Sequence, residues 1–403
     1  MSQALRLYRN AYSGLSPSTW LLSFVMLVNR CGTMVVPFMT LYLTESKHVS
    51  LGKAGLVMAI FGAGAVCGGF IGGRLTDKIG FYFIQLYALV GGGLMFILLG
   101  KIDSYPLICV TTFFLSVVNE SFRPANATAI AHYSKEENRT RSYSLNRLAI
   151  NLGWALGGTI GGFLASHNYH LLFWVDGISN ITAAALLWLF LAPSKNTATV
   201  QKIVRHSETE VVRSAYKDRV YIIFILLTII FAFCFFQLFS TVPLFYKEQL
   251  RLDESFIGIV MGINGVLIAC FEMVTVYSLE GKRHNLYYIV YGVIMIALSY
   301  AVFNLLHNGY VVAVASVLLA TVGEIFSMPF MNSFWTSRCV PENRGQYAGL
   351  YTVAWSIAQI AGMGAGPWLA QQFGFAVLWW CIAGLCLFAA VAFKWLSLNE
   401  DIF

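Results

Sequence analysis

Seven ionisable side chains interrupt the apolar stretches of this sequence. They are Arg30, Glu120, Arg123, Arg147, Asp176, Glu272 and Glu324. A charge in such a stretch is costly unless it is paired or has a function, because an apolar surrounding solvates ions poorly. Each of the seven is therefore a candidate for holding a charged solute or for exchanging a proton.

The spacing of some of these residues places them on one face of a helix. Glu120 and Arg123 are three residues apart and can form an ion pair. Tyr143, Arg147 and Asn151 recur every four residues and form one polar stripe. Such a stripe is unfavourable against lipid, so we expect it to face a cavity or another polar helix.

The charges are divided unequally between the two halves of the chain. The first half contains Arg30, Arg123 and Arg147, whose planar guanidinium groups suit carboxylate or phosphate. In the second half Glu272 and Glu324 have no basic residue near them in sequence, so they are the first candidates for carrying a proton. Glu120 is the third candidate. Asp176 lies near the end of its apolar stretch and is assigned a structural role.

Polar and aromatic side chains in the same stretches are further candidates for solute contact. Asn29 precedes Arg30, and Gln237 lies in the second half. Trp355 and Gln359 are four residues apart, so they share a helix face. Together with the arginines and the Tyr143 stripe, these residues form the predicted solute site.

The elements that position these residues are predicted to be membrane-spanning helices. The chain has 403 residues, of which 58% are hydrophobic and only 11% charged, whereas soluble domains carry about 25% charged residues. A spanning helix needs about 20 apolar residues. Twelve stretches are long enough: 18–44, 51–73, 80–101, 105–132, 140–166, 170–192, 220–247, 254–279, 286–306, 309–338, 345–371 and 374–396. We expect an all-α membrane protein with twelve transmembrane helices.

One polar segment, 193–219, divides the chain into two sets of six helices. We therefore predict a bundle in residues 1–192, a linker in 193–219 and a second bundle in 220–403. A shift of 205 residues relates the halves, since it places Glu137-Asn138-Arg139 on Glu342-Asn343-Arg344. The same shift relates Pro124 to Pro329, Leu145 to Leu350, Gly157 to Gly362 and Gly161 to Gly366. Repeats of this kind often enclose a binding site near the middle of the bilayer.

The basic residues predict the orientation of the chain. With a cytoplasmic N-terminus, 18 of the 26 lysines and arginines lie on the cytoplasmic side and five on the other. The positive-inside rule then places both termini and the linker inside the cell, in a bacterial inner membrane. This distribution accounts for the net charge of +7 without a nucleic-acid partner.

Several other classes of protein are disfavoured. The eight cysteines include no CxxC pair, and the sequence has neither an HExxH motif nor an ATP-binding Gly-rich loop. We therefore expect no cofactor, no metal and no enzymatic activity. A membrane-embedded enzyme is kept as the alternative from a different class.

The loop Gly73-Arg74-Leu75-Thr76-Asp77-Lys78-Ile79-Gly80 resembles a conserved motif of the major facilitator superfamily. The resemblance implies that Gly73, Asp77, Lys78 and Gly80 form a latch, in which Asp77 holds a neighbouring helix terminus. Phe81 and Tyr82 stand where the family usually has two basic residues. The corresponding loop in the second half, Glu280-Gly281-Lys282-Arg283, is degenerate.

Two further segments carry the resemblance. Gly153 to Gly162 is similar to the glycine-rich motif of drug:proton antiporters, with Gly158 in place of proline. Asn29-Arg30 and the spacing of Glu324 to Pro329 are more weakly similar to proton-coupled peptide transporters, although the glutamates of the first-helix motif are missing. The resemblance implies a monomeric transporter of a small charged or amphipathic organic solute, working by alternating access. We expect proton coupling and favour efflux. The alternative is proton-coupled uptake of an anionic or zwitterionic nutrient, such as a peptide or a siderophore-type carboxylate.

Overall fold

In a computed structural model of the chain, which describes residues 3–191 and 214–399, the described residues form helices joined by short loops. The first half contains α1 (Gln3–Tyr12), α2 (Pro17–Cys31), α3 (Val35–Leu41), α4 (Leu51–Ile79), α5 (Phe81–Leu99), α6 (Tyr105–Glu120), α7 (Phe122–Tyr133), α8 (Arg139–His167) and α9 (His170–Phe190). The second half contains α10 (Arg219–Glu248), α11 (Glu254–Leu279), α12 (Asn285–Leu305), α13 (Gly309–Arg338), α14 (Arg344–Phe373) and α15 (Phe375–Leu398).

Eleven segments of the described chain are long and apolar enough to cross a membrane. The first span runs through α2 and α3, and the fourth through α6 and α7. Helix α14 has the length of a span but is less apolar, since it begins at Arg344 and contains Gln346, Gln359 and Gln371. With α14 the fold has the twelve helices that were predicted.

The predicted repeat is reflected in the helix boundaries. A shift of 205 residues carries the start of α8 at Arg139 onto the start of α14 at Arg344. It also carries the end of α7 at Tyr133 onto the end of α13 at Arg338. The two six-helix bundles are therefore pseudo-symmetric. The boundaries predicted at 193 and 219 remain a prediction, because most of the linker (193–213) lies outside the described residues.

The bundles meet along a few helix pairs. Helix α4 packs on α14, while α8 packs on both α11 and α13. Within the bundles, α2 packs on α8 and α9, and α12 packs on α13 and α15. The C-terminal end of α9 and the N-terminal end of α10, which the linker connects, lie at one end of the bundles. We call it the linker end. Among the eleven apolar segments, α8 and α11 are the least buried. In these two helices 24% and 22% of the 18-residue apolar stretch is buried, against at least 39% in the other segments.

The first span is broken close to Arg30. Helix α2 ends at Cys31, and α3 begins at Val35. The Asp176 carboxylate, which is fully buried, accepts hydrogen bonds from the backbone N–H groups of Met34 (2.9 Å) and Val35 (2.8 Å). It therefore satisfies donors that would otherwise be left unpaired at the start of α3. The structural role predicted for Asp176 agrees with this geometry.

Candidate functional site

A cluster of charged side chains joins the two bundles in the interior. Arg147 on α8 places Nε 3.2 Å from Oε2 of Glu272 on α11 and Nη2 2.8 Å from Oε2 of Glu324 on α13. The side chains are 12%, 2% and 4% exposed, respectively. One arginine therefore pairs with two carboxylates that belong to the other bundle, so the cluster has one more acidic group than basic groups.

This arrangement corrects one expectation. In sequence Glu272 and Glu324 have no basic residue near them, and the charges of the two halves were expected to be separate. The counter-ion is instead Arg147, which is 125 residues before Glu272 and reaches it only when the bundles pack. No local spacing could have indicated this pair.

Glu324 is held by further hydrogen bonds. Asn264 on α11 donates from Nδ2 to Oε1 of Glu324 at 2.8 Å and to Oγ1 of Thr321 at 3.0 Å. Each oxygen of the Glu324 carboxylate thus has its own donor, one from each bundle. Buried carboxylates need such partners, because water is not available to them.

The predicted pair on the fourth span is present. Arg123 places Nη1 3.2 Å from Oε2 of Glu120, and the two side chains are 32% and 11% exposed. The break between α6 and α7 lies between them at Ser121, and the hydroxyl of Ser121 donates to the carbonyls of Gly68 and Val117.

Arg30 differs from the other two arginines. Its Nε is buried and has no hydrogen-bond partner among the described residues. It lies against α8, where a Cβ at Gly153 would be 2.4 Å from Cβ of Arg30. The glycine motif of α8 therefore lets the arginine of α2 approach the helix backbone.

The Tyr143 stripe on α8 separates into three environments. The Tyr143 hydroxyl donates to the Ala127 carbonyl at 2.8 Å, so it fastens α8 to α7. Arg147 bridges the bundles. Asn151, one turn further on, has a buried Nδ2 without a partner among the described residues. The stripe is polar, as predicted, and its three residues have three different surroundings.

Two of the predicted amides are fully engaged within their own bundles. Asn29 is 4% exposed and donates to Oδ1 of Asn180 at 2.9 Å. Gln237 is fully buried, donates to the Gly362 carbonyl at 2.9 Å and accepts from Thr241 at 2.7 Å. These bonds fasten α2 to α9 and α10 to α14.

Trp355 lies in an aromatic cluster that the sequence did not reveal. Its ring centroid is 5.7 Å from that of Phe235, 5.9 Å from Phe236 and 6.2 Å from Tyr351. The Tyr351 ring centroid is 6.3 Å from that of Trp335, which is 6.1 Å from that of Tyr143 in the first bundle. Gln359, the predicted neighbour of Trp355, is half-buried one turn further along α14. The aromatic cluster thus reaches the interface with the first bundle.

The predicted latch at the linker end contains Asp77 and Gly73. The Asp77 carboxylate accepts the backbone N–H groups of Gly345 (2.6 Å) and Gln346 (2.8 Å) at the start of α14. A Cβ at Gly73 would be 2.4 Å from the carbonyl oxygen of Gly345, so the two backbones touch. Gly80 has a φ of +98° at the turn into α5. The side chain of Lys78 is exposed.

A second latch, which the sequence did not suggest, lies in the loop we described as degenerate. The Glu280 carboxylate accepts the backbone N–H of Thr140 at 2.7 Å and Nε of Arg141 at 3.0 Å, at the start of α8. The 205-residue shift relates Thr140 to Gly345. Each bundle therefore supplies one carboxylate, which binds the N-terminus of a helix in the other bundle. A helix N-terminus favours negative charge.

The pKa of Glu280 lies above its ordinary value, because burial disfavours its charged form more than its donors favour it. A third contact supports this closure, since the Thr140 hydroxyl lies 3.0 Å from that of Ser333 on α13. The linker end is thus closed by both latches together. In the described part of the chain, no three His, Cys, Asp or Glu side chains are grouped so that they could hold a metal ion.

The comparisons with known proteins concern the chain as a whole. The family model described as Major Facilitator Superfamily matches residues 20–362. A Na(+), Li(+), K(+)/H(+) antiporter from Planococcus maritimus is 24% identical over 92% of this chain and 93% of its own. The class D tetracycline resistance protein from Salmonella ordonez is 21% identical over 76% and 77%. The crystal structure of a bacterial homologue of the iron transporter ferroportin in an outward-facing state superposes with a TM-score of 0.73 at 17% identity, covering 95% of this chain and 100% of that one.

Proposed function

The chain belongs to the Major Facilitator Superfamily, and we propose that it is a proton-coupled secondary transporter of a small charged or amphipathic organic solute. As a member of that family it is a multi-pass membrane transporter rather than an enzyme. The observation that carries the proposal is the cluster of Arg147, Glu272 and Glu324, which joins the bundles through buried charges.

Alternating access requires the bundles to rock against each other, and this cluster lies across their interface. Separating Arg147 from its carboxylates would leave buried charges unpaired, at a cost of roughly 3–5 kcal/mol. A proton on Glu272 or Glu324 would lower that cost, because only one charged carboxylate would then have to be separated from Arg147. Proton binding and rearrangement of the bundles would then be linked, since a proton shifts the equilibrium only through its differential affinity for the two states. Glu120 is a less suitable proton carrier, because its ion pair with Arg123 lies within one bundle and rocking of the bundles would not separate it.

For the solute, we propose contacts with the groups whose binding capacity is unused. Arg30 and Asn151 have buried donors without partners among the described residues, and Trp355 with Phe235 presents an aromatic surface. We include Arg123 and Gln359 in the same proposed site. Asn29, Tyr143 and Gln237 are assigned positioning roles in this proposal, because their polar atoms already join helices.

Efflux is favoured by the glycine motif of α8 and by the two relatives, one an antiporter and the other a resistance protein. The unpartnered guanidinium nitrogen of Arg30 favours a second candidate, proton-coupled uptake of an anionic or zwitterionic nutrient. The asymmetry of basic residues supports a bacterial inner-membrane location with the linker end in the cytoplasm. The transporter is proposed to act as a monomer.

The test begins with a thermal-shift screen of the purified protein. Probes should include tetracycline, benzoate, a dipeptide, ethidium and potassium ions. A probe that stabilises the protein is then followed in proteoliposomes by counterflow, in which labelled probe exchanges with unlabelled probe without added energy. Exchange that requires the protein supports transport. Stabilisation by cations alone, unaffected by Arg30→Gln, would contradict the proposed role of Arg30.

A further inference from the structure

The short helix α1 precedes the first span and occupies a composite site at the linker end. It runs from Gln3 to Tyr12, and Pro17 already begins α2. Because so few residues separate α1 from a membrane-spanning helix, it lies at the membrane surface. Arg6, Arg9 and Asn10 are exposed, whereas Ala11 is completely buried.

The surface that holds α1 is built from both bundles. The Tyr8 hydroxyl donates to the Cys270 carbonyl on α11 at 2.5 Å. Ala11 packs in a small apolar cluster with Leu145 of α8 and Met273 of α11. The helix therefore rests on the seam between α8 and α11, and rocking of the bundles would divide its site.

One arginine connects α1 to the second latch. Nη1 of Arg141 donates to the carbonyls of Asn10 (3.3 Å), Ala11 (3.3 Å) and Ser13 (3.1 Å), while its Nε is bonded to Glu280. These carbonyls lie at the C-terminal end of α1, where a cation is favoured. The same guanidinium thus holds both α1 and the closed linker end.

The outer face of α1 has the charge of a surface that binds anionic lipid. Arg6 and Arg9 project from it, and the sequence has no acidic residue before Glu45. Anionic headgroups attract such residues by about 1 kcal/mol each near the membrane surface. For two arginines this corresponds to roughly a thirtyfold preference for the docked helix.

We propose that α1 binds anionic phospholipid headgroups through Arg6 and Arg9, and that this binding stabilises the state closed at the linker end. Lipid would hold α1 at the surface, α1 would hold Arg141, and Arg141 would hold the Glu280 latch. The proposal does not depend on the identity of the solute or on proton coupling.

Hydrogen exchange measured by mass spectrometry can follow both parts of the proposal. The full chain is placed in nanodiscs of phosphatidylcholine, with or without phosphatidylglycerol. Exchange is compared in residues 3–12 and at the starts of α8 and α14. Phosphatidylglycerol is expected to slow exchange by up to about thirtyfold in all three segments, and less so at high salt.

The variants separate lipid binding from closure. Arg6→Gln/Arg9→Gln should abolish the effect of phosphatidylglycerol, whereas the control Lys135→Gln/Lys282→Gln, which removes two exposed charges at the same end, should retain it. Tyr8→Phe should keep the protection of α1 but weaken that of α8, since it loosens the helix from α11.

Three results would overturn the proposal. Equal exchange of α1 in the two lipids would exclude the headgroup site. Protection of α1 without protection of α8 and α14 would exclude the link to closure. The same protection from inorganic phosphate added to phosphatidylcholine nanodiscs would show that a membrane surface is not required.

Discussion

Removing the Asp77 carboxylate should open the linker end. Asp77 accepts two backbone N–H groups of α14, at 2.6 and 2.8 Å. Loss of a helix cap costs about 1 kcal/mol, and loss of the negative charge at a helix N-terminus costs about 0.3–1 kcal/mol more. We therefore expect Asp77→Ala to disfavour the closed state by roughly 2 kcal/mol, which is about thirtyfold in the equilibrium between closed and open.

A cysteine at Ser333 can report this change, since Ser333 contacts Thr140 of the other bundle at the closed end. In a background without reactive native cysteines, the rate of alkylation by a membrane-impermeant maleimide follows the open fraction. Asp77→Ala should raise that rate about thirtyfold, and adding Glu280→Gln should raise it further. Lys78→Ala is the matched control, because its side chain is exposed. Equal rates for Asp77→Ala and Lys78→Ala would refute the latch.

Three other perturbations have defined outcomes. Gly345→Ala should prevent full closure, because the new Cβ would lie 2.3 Å from the Gly73 carbonyl oxygen. In the control Gly158→Ala the new Cβ meets no atom within 4 Å, so the cysteine at position 333 should be alkylated at the parent's rate. Asp176→Ala should lower the free energy of unfolding by about 1–2 kcal/mol through loss of the α3 cap, measured in detergent by thermal melting; an unchanged melting temperature would count against that role. The pKa of Asp218 is pushed up by burial but lowered more by its donors, Arg338, the Tyr221 amide and Tyr347, and lies below the ordinary 3.8. The stability that ionised Asp218 contributes is therefore fully present above pH 3.8 and is lost as the pH falls through the lowered pKa of its carboxyl. Asp218→Asn should melt earlier at neutral pH and show a shallower loss in acid, and identical pH profiles would contradict this.

The sequence predicted features that depend on local pattern or on the repeat. Apolar length located the spans, and the three-residue spacing of Glu120 and Arg123 predicted their pair. The 205-residue shift, found from a tripeptide and a few glycines, matches the start of α8 to the start of α14. These features were accessible because helix geometry fixes which residues within one helix are neighbours.

Contacts between the bundles could not be read in the same way. Arg147 and Glu324 are 177 residues apart, and only packing of α8 against α13 brings them together. The Glu280 latch escaped notice because its loop lacks the motif of the Asp77 loop. The tripeptides ending in Arg139 and Arg344 mark equivalent helix starts. This equivalence was the feature of the sequence that could have indicated a capping carboxylate at both starts.

The amides Asn29 and Gln237, predicted to contact the solute, have protein partners in the structure. Asn29 and Gln237 lie in apolar helices, as a solute-binding residue would, but their hydrogen bonds are made to Asn180 and to Gly362. A buried amide satisfied by a neighbouring helix and one that faces a solute have the same pattern in sequence. Only the partners distinguish them.

Proton coupling through Arg147, Glu272 and Glu324 is tested by driving accumulation of a transported probe with a pH gradient in proteoliposomes. The double variant Glu272→Gln/Glu324→Gln should abolish the accumulation. If it folds poorly, the triple variant that also carries Arg147→Gln restores the charge balance of the cluster. Both should retain counterflow, and the exposed control Glu342→Gln should behave like the parent. Full pH-driven accumulation by the charge-balanced triple variant would contradict the mechanism.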